Sequence, residues 1–440
     1  MSEDLSRREV LQNAALVAGM AALGGVWTDR PARASKSPNE KLNIACIGAG
    51  GMGASDIRNF VDENIVALCD VDEARAADTF NAFPKAAKYK DFRKMLERKD
   101  IDAVSVSTPD HIHAVAAAAA MHLGKHVYCQ KPLTHSVYEA RYLTRLAARM
   151  KVATQMGTQA HASRGSIKAV EGLRAGAVGT VREVHVITDR PAGWWPQGMT
   201  AYPTDTPPVP ATLDWDLWLG PAKQRPYNPA YLPFVWRGWW DFGTGALGDM
   251  ACHLMDVAFW ALGLKDPISV EAESGPVSPV SPPLWSVITY QFPAVGARPP
   301  VKLVWYDGGK RPPAEVTEGA DLPKDFNGSF VVGDKGRMQV NHGAAPRLLP
   351  EKTFEDYEWP PETLPRPASH YLEWIEACKK GTPTGSNFAY AGPFTEAVLL
   401  GNVALRVGGK IEWDAAAMKV KGHPEAAEYI RPRFRKGWKL

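Results

Sequence analysis

Two groups of residues in this chain carry chemistry through their type and spacing. The first is Gly48-Ala49-Gly50-Gly51-Met52-Gly53, set between an apolar run from Leu42 to Ile47 and a helix-like segment reaching Phe60. In a G-x-G-x-x-G loop the first glycine makes a tight turn and the second lets the backbone approach a pyrophosphate. The third lets the helix pack closely on the strand, with the phosphates at the helix N-terminus. A second apolar run, Ile65 to Cys69, ends at Asp70, twenty residues after Gly50, where a carboxylate can accept hydrogen bonds from the adenosine ribose hydroxyls. That carboxylate would repel a 2′-phosphate, and Val71-Asp72-Glu73 supplies no cation. NAD is therefore expected over NADP, with Arg75 the nearest argument to the contrary.

The second group is Asp249 and His253, four residues apart on a helix-like stretch that follows the aromatic, Gly-rich segment Trp236 to Gly248. One helical face presents both side chains. A carboxylate beside an imidazole stabilises the imidazolium and raises its pKa, which suits a base that accepts an alcohol proton. On the residues alone, an ordinary N-terminal helix Asp and a satisfied core His is the commoner arrangement. Asp256, expected on the same helix, could join them as a metal ligand.

These groups need a scaffold that brings them together. Apolar runs at Ala103 to Ser107, His126 to Cys129 and Val152 to Met156 alternate with helix-like stretches at His113 to Leu123 and Val137 to Arg149. Such alternation predicts a doubly wound parallel sheet with helices on both faces. Ligands collect at the carboxyl ends of its strands, which makes Thr108, His111, His113, Gln130, Lys131 and Gln159 candidates for cofactor contact beside Gly48, Gly50, Met52, Gly53 and Asp70. Later strand-like stretches, Val181 to Thr188, Trp285 to Phe292, Val301 to Trp305 and Phe330 to Val332, alternate with Pro- and Gly-rich connections. Trp194, Trp195, Arg237 and Trp239 are candidates for lining a sugar pocket, by stacking and by hydrogen bonding.

Taken together, GAGGMG at Gly48 to Gly53, CDVD at Cys69 to Asp72, TPDHIH at Thr108 to His113, QKP at Gln130 to Pro132 and the Asp249–His253 pair resemble the Gfo/Idh/MocA dehydrogenases, named after glucose-fructose oxidoreductase and inositol dehydrogenase. The resemblance implies an α/β fold: a Rossmann domain over residues 35–157 and a substrate domain over 158–440 with a large, mainly antiparallel open sheet. C-terminal segments are expected to pack back on the first domain, and the open sheet face to mediate homo-oligomerisation. It also implies that Lys131 lies between nicotinamide and substrate, that Asp249 and His253 are an acid/base pair, and that no metal is required. The family tripeptide is usually Glu-Lys-Pro; here Gln130 replaces the carboxylate and Lys131 stays.

Bulk properties narrow the rest. The 51 Lys and Arg against 48 Asp and Glu give a formal net charge of +3 with no basic tract to follow a phosphate backbone, which argues against nucleic acid as a partner. Ser6-Arg7-Arg8 followed by an apolar stretch, Ala14 to Val26, and by Ala32-Arg33-Ala34 resembles a twin-arginine signal with a cleavage site. It is too short and too rich in Ala and Gly for a stable membrane span. Residues 1–34 are thus expected to direct a folded, cofactor-loaded protein to the periplasm or beyond. The five cysteines lack close spacing and are expected to be free and buried. A periplasm without soluble NAD favours a retained cofactor. Two schemes then need no net redox change: hydride exchange between sugars, or oxidation of a glycoside, elimination of its aglycone, addition and reduction. A non-catalytic secreted sugar-binding module would predict a broken fingerprint or missing acid/base residues.

Overall fold

In the computed structural model residues 40–440 are described; the expected export signal lies outside them. β1 (Asn43–Ile47), β2 (Asn64–Cys69), β3 (Ala87–Tyr89), β4 (Ala103–Val106), β5 (His126–Gln130) and β6 (Thr154–Gly157) form a sheet in the order β3-β2-β1-β4-β5-β6. Every neighbouring pair runs parallel. Consecutive residues of β1, β4 and β5 are buried, because helices cover both faces of the sheet. Strand order reverses between β1 and β4, and the ligand crevice of such a sheet lies at the carboxyl ends there.

The helices are positioned by local chemistry. α1 (Met52–Arg58) follows the Gly-rich loop, and α2 (Glu73–Ala82) starts where the Asp72 side chain accepts the Ala74 and Arg75 N–H groups. α3 (Asp110–His122) is rich in alanine and buried along nearly its whole length. α4 (Val137–Met150) opens on a capping box between Ser136 and Glu139.

α5 (Arg164–Arg174) leads into the second sheet, formed by β7 (Val181–Ile187), β8 (Ser269–Ser274), β9 (Ser286–Phe292), β10 (Val301–Tyr306), β11 (Gly328–Gly333), β12 (Arg337–Asn341), β13 (Arg347–Leu349), β14 (Lys410–Asp414) and β15 (Lys419–Lys421). Its order is β13-β12-β11-β7-β10-β9-β8-β14-β15, antiparallel except between β7 and β10. In β9, buried Ile288, Tyr290 and Phe292 alternate with half-buried Val287, Thr289 and Gln291, which defines an inner and an outer face. β8 and β12 to β15 escaped the sequence reading, being short or broken by charged residues.

Two helical regions complete the inner side. The stretch expected to be one helix through Asp256 is two: α6 (Gly245–Leu254), and α7 (Asp256–Leu262) after a break at Met255. α8 (His370–Lys380) returns to the first sheet, where fully buried Trp374 packs on Phe60 and Tyr128 with ring centroids 5.3 and 5.7 Å apart. α9 (Phe388–Val407) packs on both α4 and β8, so Phe394, Tyr290 and Val127 belong to one core. All five cysteines are free and buried. No helix of the described residues is long and apolar enough to cross a membrane.

Candidate active site

The Gly-rich loop has the form a dinucleotide needs. Gly48 adopts φ +89°, and a Cβ there would stand 2.3 Å from the Ser107 carbonyl oxygen; a Cβ at Gly53 would stand 2.1 Å from that of Gly48. Both the turn and the close helix approach therefore require glycine. α1 begins after Gly51 with no side chain capping its first amides, which leaves a helix N-terminus suited to phosphate. Asp70 Oδ2 accepts the Ala49 and Gly50 N–H groups at 2.8 and 3.3 Å, and Oδ1 accepts that of Asp72 at 3.0 Å. The carboxylate latches the loop and retains acceptor capacity for a ribose hydroxyl. Burial pushes its pKa up against these three hydrogen bonds. Arg75 lays its side chain over Gly50 and Gly51, and half-exposed Met52 stands at the head of α1.

At the carboxyl end of β5, the Lys131 ammonium donates to the Asp249 carbonyl oxygen at 2.8 Å and to its Oδ1 at 2.9 Å. Arg237 Nε donates to the same Oδ1 at 2.9 Å. Burial alone would raise the Asp249 carboxyl, but the two cations outweigh it and hold the group well below the usual carboxylate range. An ammonium has three N–H groups, so one remains for a ligand. Arg237 is buttressed by the Phe234 and Trp236 rings, 4.3 and 4.2 Å from its guanidinium carbon.

His253 lies one helical turn beyond Asp249, yet the carboxylate is spent on Lys131 and Arg237. The expected rise in imidazole pKa is overturned: burial, then the Lys131 ammonium and His342, push His253 well below its ordinary value. The ring is therefore neutral. Its Nδ1 is 3.4 Å from Thr158 Oγ1, whose own proton goes to the Cys252 carbonyl oxygen at 2.8 Å. Nδ1 must then be the N–H, which leaves the Nε2 lone pair as the basic position. Thr158 and His342 were missed in the sequence. His342, in the turn after β12, brings its ring within 4.7 Å of His253, and no short-range motif marked it.

Other expected contacts are placed differently. His111 has its ring nitrogens 3.2 and 3.0 Å from the Phe242 and Trp218 carbonyl oxygens, and those of His113 lie 2.8 and 2.9 Å from the Pro132 and Thr108 oxygens. Both rings are buried clamps between elements, with no polar atom left for a cofactor. Burial pushes them down to about 3 and about 4. Trp239 is 3% exposed, stacked on Tyr202 with Nε1 bonded to the Ala230 oxygen, and is scaffold rather than pocket lining. Trp195 is buried with its Nε1 on Gln197 Oε1, whereas Trp194 is 47% exposed and carries the Arg190 guanidinium 3.5 Å over its ring. Thr108 Oγ1 bonds the Pro109 oxygen, and Gln159 Nε2 reaches the Tyr128 hydroxyl at 3.2 Å. Asp256, weighed as a metal ligand, accepts instead from His161 Nδ1 at 2.9 Å and the Tyr390 hydroxyl at 2.7 Å.

Comparison with known proteins adds the following. Residues 42–158 match the family model described as an oxidoreductase family NAD-binding Rossmann fold, and residues 176–440 match that for the oxidoreductase family C-terminal alpha/beta domain. Levoglucosan dehydrogenase of Pseudarthrobacter phenanthrenivorans is 23% identical over 235 residues, 51% of this chain and 52% of that protein. A glycosyl hydrolase family 109 protein of Solibacter usitatus is 35% identical over 151 residues, 30% of this chain and 34% of its own length. The matched stretch thus spans about half, or less, of these curated relatives. Among solved structures, the WlbA dehydrogenase of Bordetella pertussis, in complex with NADH and UDP-GlcNAcA, superposes with a TM-score of 0.58 at 17% identity, over 85% of this chain and 99% of that one.

Proposed function

The chain belongs to the Gfo/Idh/MocA family of NAD-binding oxidoreductases, and from that premise we propose that it oxidises and reduces a hydroxyl of a sugar or glycoside with an NAD it retains. One observation carries the reading: the Lys131 ammonium is fixed at a Rossmann strand end by Asp249, on the helix that also carries His253.

NAD held by the loop from Gly48 to Gly53 and by Asp70 supplies the hydride acceptor and donor. Everything else falls to the chain's own side chains. Asp249 takes two of the interactions of Lys131, so the remaining N–H is directed rather than free to rotate, and it can donate to the oxygen of the reacting hydroxyl. As that hydroxyl loses its proton, His253 Nε2 can receive it, and in the reverse direction the same atom returns it. Burial, with the nearby ammonium second, holds the imidazole pKa well below its ordinary value and so favours the unprotonated ring that a base needs. Arg237 holds the same Asp249 oxygen, and exposed Trp194, with Arg190 over one face of its ring, leaves its other face as a flat apolar surface for a sugar ring.

Export is part of the proposal, carried by Arg7-Arg8 and the apolar stretch after them. Replacing both arginines with lysine should leave the precursor in the cytoplasm; undiminished periplasmic delivery would rule out that route. An exported dehydrogenase that released NADH would stall, so the cofactor stays bound. The likeness to a glycosyl hydrolase family 109 protein favours a second reading, redox-neutral cleavage of a glycoside through transient oxidation. Homo-oligomerisation is assigned to the outer face of the second sheet, where Val287, Thr289, Val304 and Tyr306 line a depression of about 540 Å³. Mass spectrometry of the gently denatured protein, followed by incubation of the native protein with a panel of sugars and glycosides, tests the function. NAD release and its reduction by a sugar support dehydrogenation. Aglycone release without added NAD supports the second reading, and absence of any dinucleotide rejects both.

A further inference from the structure

Gln130 ends β5 directly before Lys131, and its buried carboxamide is held at both ends. Nε2 donates to the two carboxylate oxygens of Asp56 at 3.1 and 2.9 Å, while Oε1 accepts the Lys131 backbone N–H at 3.3 Å. Asp56 lies on α1, just after the Gly-rich loop, and is fully buried. It accepts two more hydrogen bonds, from the Ser107 hydroxyl at 2.7 Å and the Tyr371 hydroxyl at 2.9 Å. An ionised carboxylate only accepts, so it dictates which end of the carboxamide faces it: nitrogen toward Asp56, oxygen toward the Lys131 amide. Gly157 closes the space beside this side chain, since a Cβ there would stand 2.7 Å from Gln130 Cδ and Oε1.

We propose that Asp56 is a positioning residue for the reaction: through Gln130 it fixes the backbone at Lys131, and so the direction in which the lysine ammonium is presented. The rate measurement below rests on the reading of Lys131 given above. This arrangement also accounts for glutamine where the family tripeptide usually has glutamate. A carboxylate at position 130 would meet the carboxylate of Asp56 with no donor between them, and one of the two would have to hold a proton. Asp56 and Gln130 are a matched pair, and their polarity can be reversed by exchanging the acid and the amide.

The experiment is a cycle of wild type, D56N, Q130E and D56N/Q130E, each carrying NAD. Q130E should slow single-turnover reduction of the bound NAD by about tenfold or more, since small displacements of a positioned group are costly, while NAD affinity stays within about threefold. The double variant, in which the introduced amide faces the introduced acid, should recover to within about threefold of the wild-type rate. Equal slowing in Q130E and the double variant overturns the proposal, as does a wild-type rate in Q130E. A second readout needs no substrate. With ¹⁵N-lysine labelling, hydrogen exchange at the Lys131 backbone amide should quicken about tenfold in Q130E and return in the double variant. Exchange unchanged across the cycle overturns the positioning role even where no sugar reduces NAD, an outcome that by itself would count only against the proposed reaction.

Discussion

The loop from Gly48 to Gly53 and the pocket around His253 are built on opposite principles. In the loop the backbone does the work, and its requirements, a positive φ at Gly48 and a helix packed within van der Waals distance of a carbonyl at Gly53, can be met by glycine alone. In the pocket the same residue types would serve many purposes, and their roles are fixed by partners far away in the chain. His113 and His253 illustrate this. Both are histidines with lowered pKa, but the nitrogens of one face two carbonyl oxygens, while the other keeps one nitrogen clear. A binding loop defined by backbone geometry and a reactive centre defined by side-chain environment should therefore respond differently to substitution.

Lys131→Ala should give the largest effect. The rate of NAD reduction in a single turnover is expected to fall by about a hundredfold or more while NAD stays bound, because groups that assist proton and hydride movement contribute about that much. Equal loss of rate and of cofactor would erase the contrast between loop and pocket. Gly48→Ala should do the reverse: NAD affinity by calorimetry should weaken by about tenfold or more, with the rate per bound NAD less affected, since the added Cβ meets the Ser107 carbonyl. Asp249→Asn comes next, at about tenfold in rate, because Lys131 loses its ionic anchor and Arg237 its partner. In that variant the two cations are uncompensated, so the His253 pKa, followed by NMR, should fall further. Lys131→Met should instead move it upward, since the nearby ammonium is one cause of its depression. The smallest effect is expected at Trp194→Ala, a rise of a few-fold in KM at nearly constant kcat, because a stacking surface binds ground and transition states alike.

The same contrast explains what the sequence disclosed. Strands β1, β2, β4, β5 and β6 announced themselves as apolar runs, and the glycine spacing gave the loop, because parallel sheets and phosphate turns impose local requirements on residue type. Lys131 and Asp249 were legible through family resemblance, and they meet at 2.9 Å. What remained hidden was tertiary. Nothing in the local pattern says that the Asp249 carboxylate turns toward Lys131 and Arg237 rather than His253, that His111 and His113 are clamped by carbonyl oxygens, or that His342 arrives from the turn after β12. Met255 breaks a stretch whose spacing reads as one continuous helix, which turns Asp256 away to His161 and Tyr390.

The central claim is that a neutral His253, beside a lysine anchored by Asp249, exchanges the proton of the reacting hydroxyl. Its most direct test is the pH dependence of single-turnover reduction of bound NAD by a reactive sugar, compared between wild type and His253→Ala. Because the folded pKa of His253 lies well below the ordinary imidazole value of about 6.5, the ring stays unprotonated as pH falls through that value. Any decline near pH 6 should come from Asp56, whose carboxyl burial pushes up to about 6, and the limb that belongs to His253 should appear only at markedly lower pH, where the ring takes up its proton. In His253→Ala that acid limb should vanish, and the rate should fall by about a hundredfold or more with NAD still bound. A His253→Ala protein that keeps both the wild-type rate and its acid limb would contradict the account and return the histidine to a packing role.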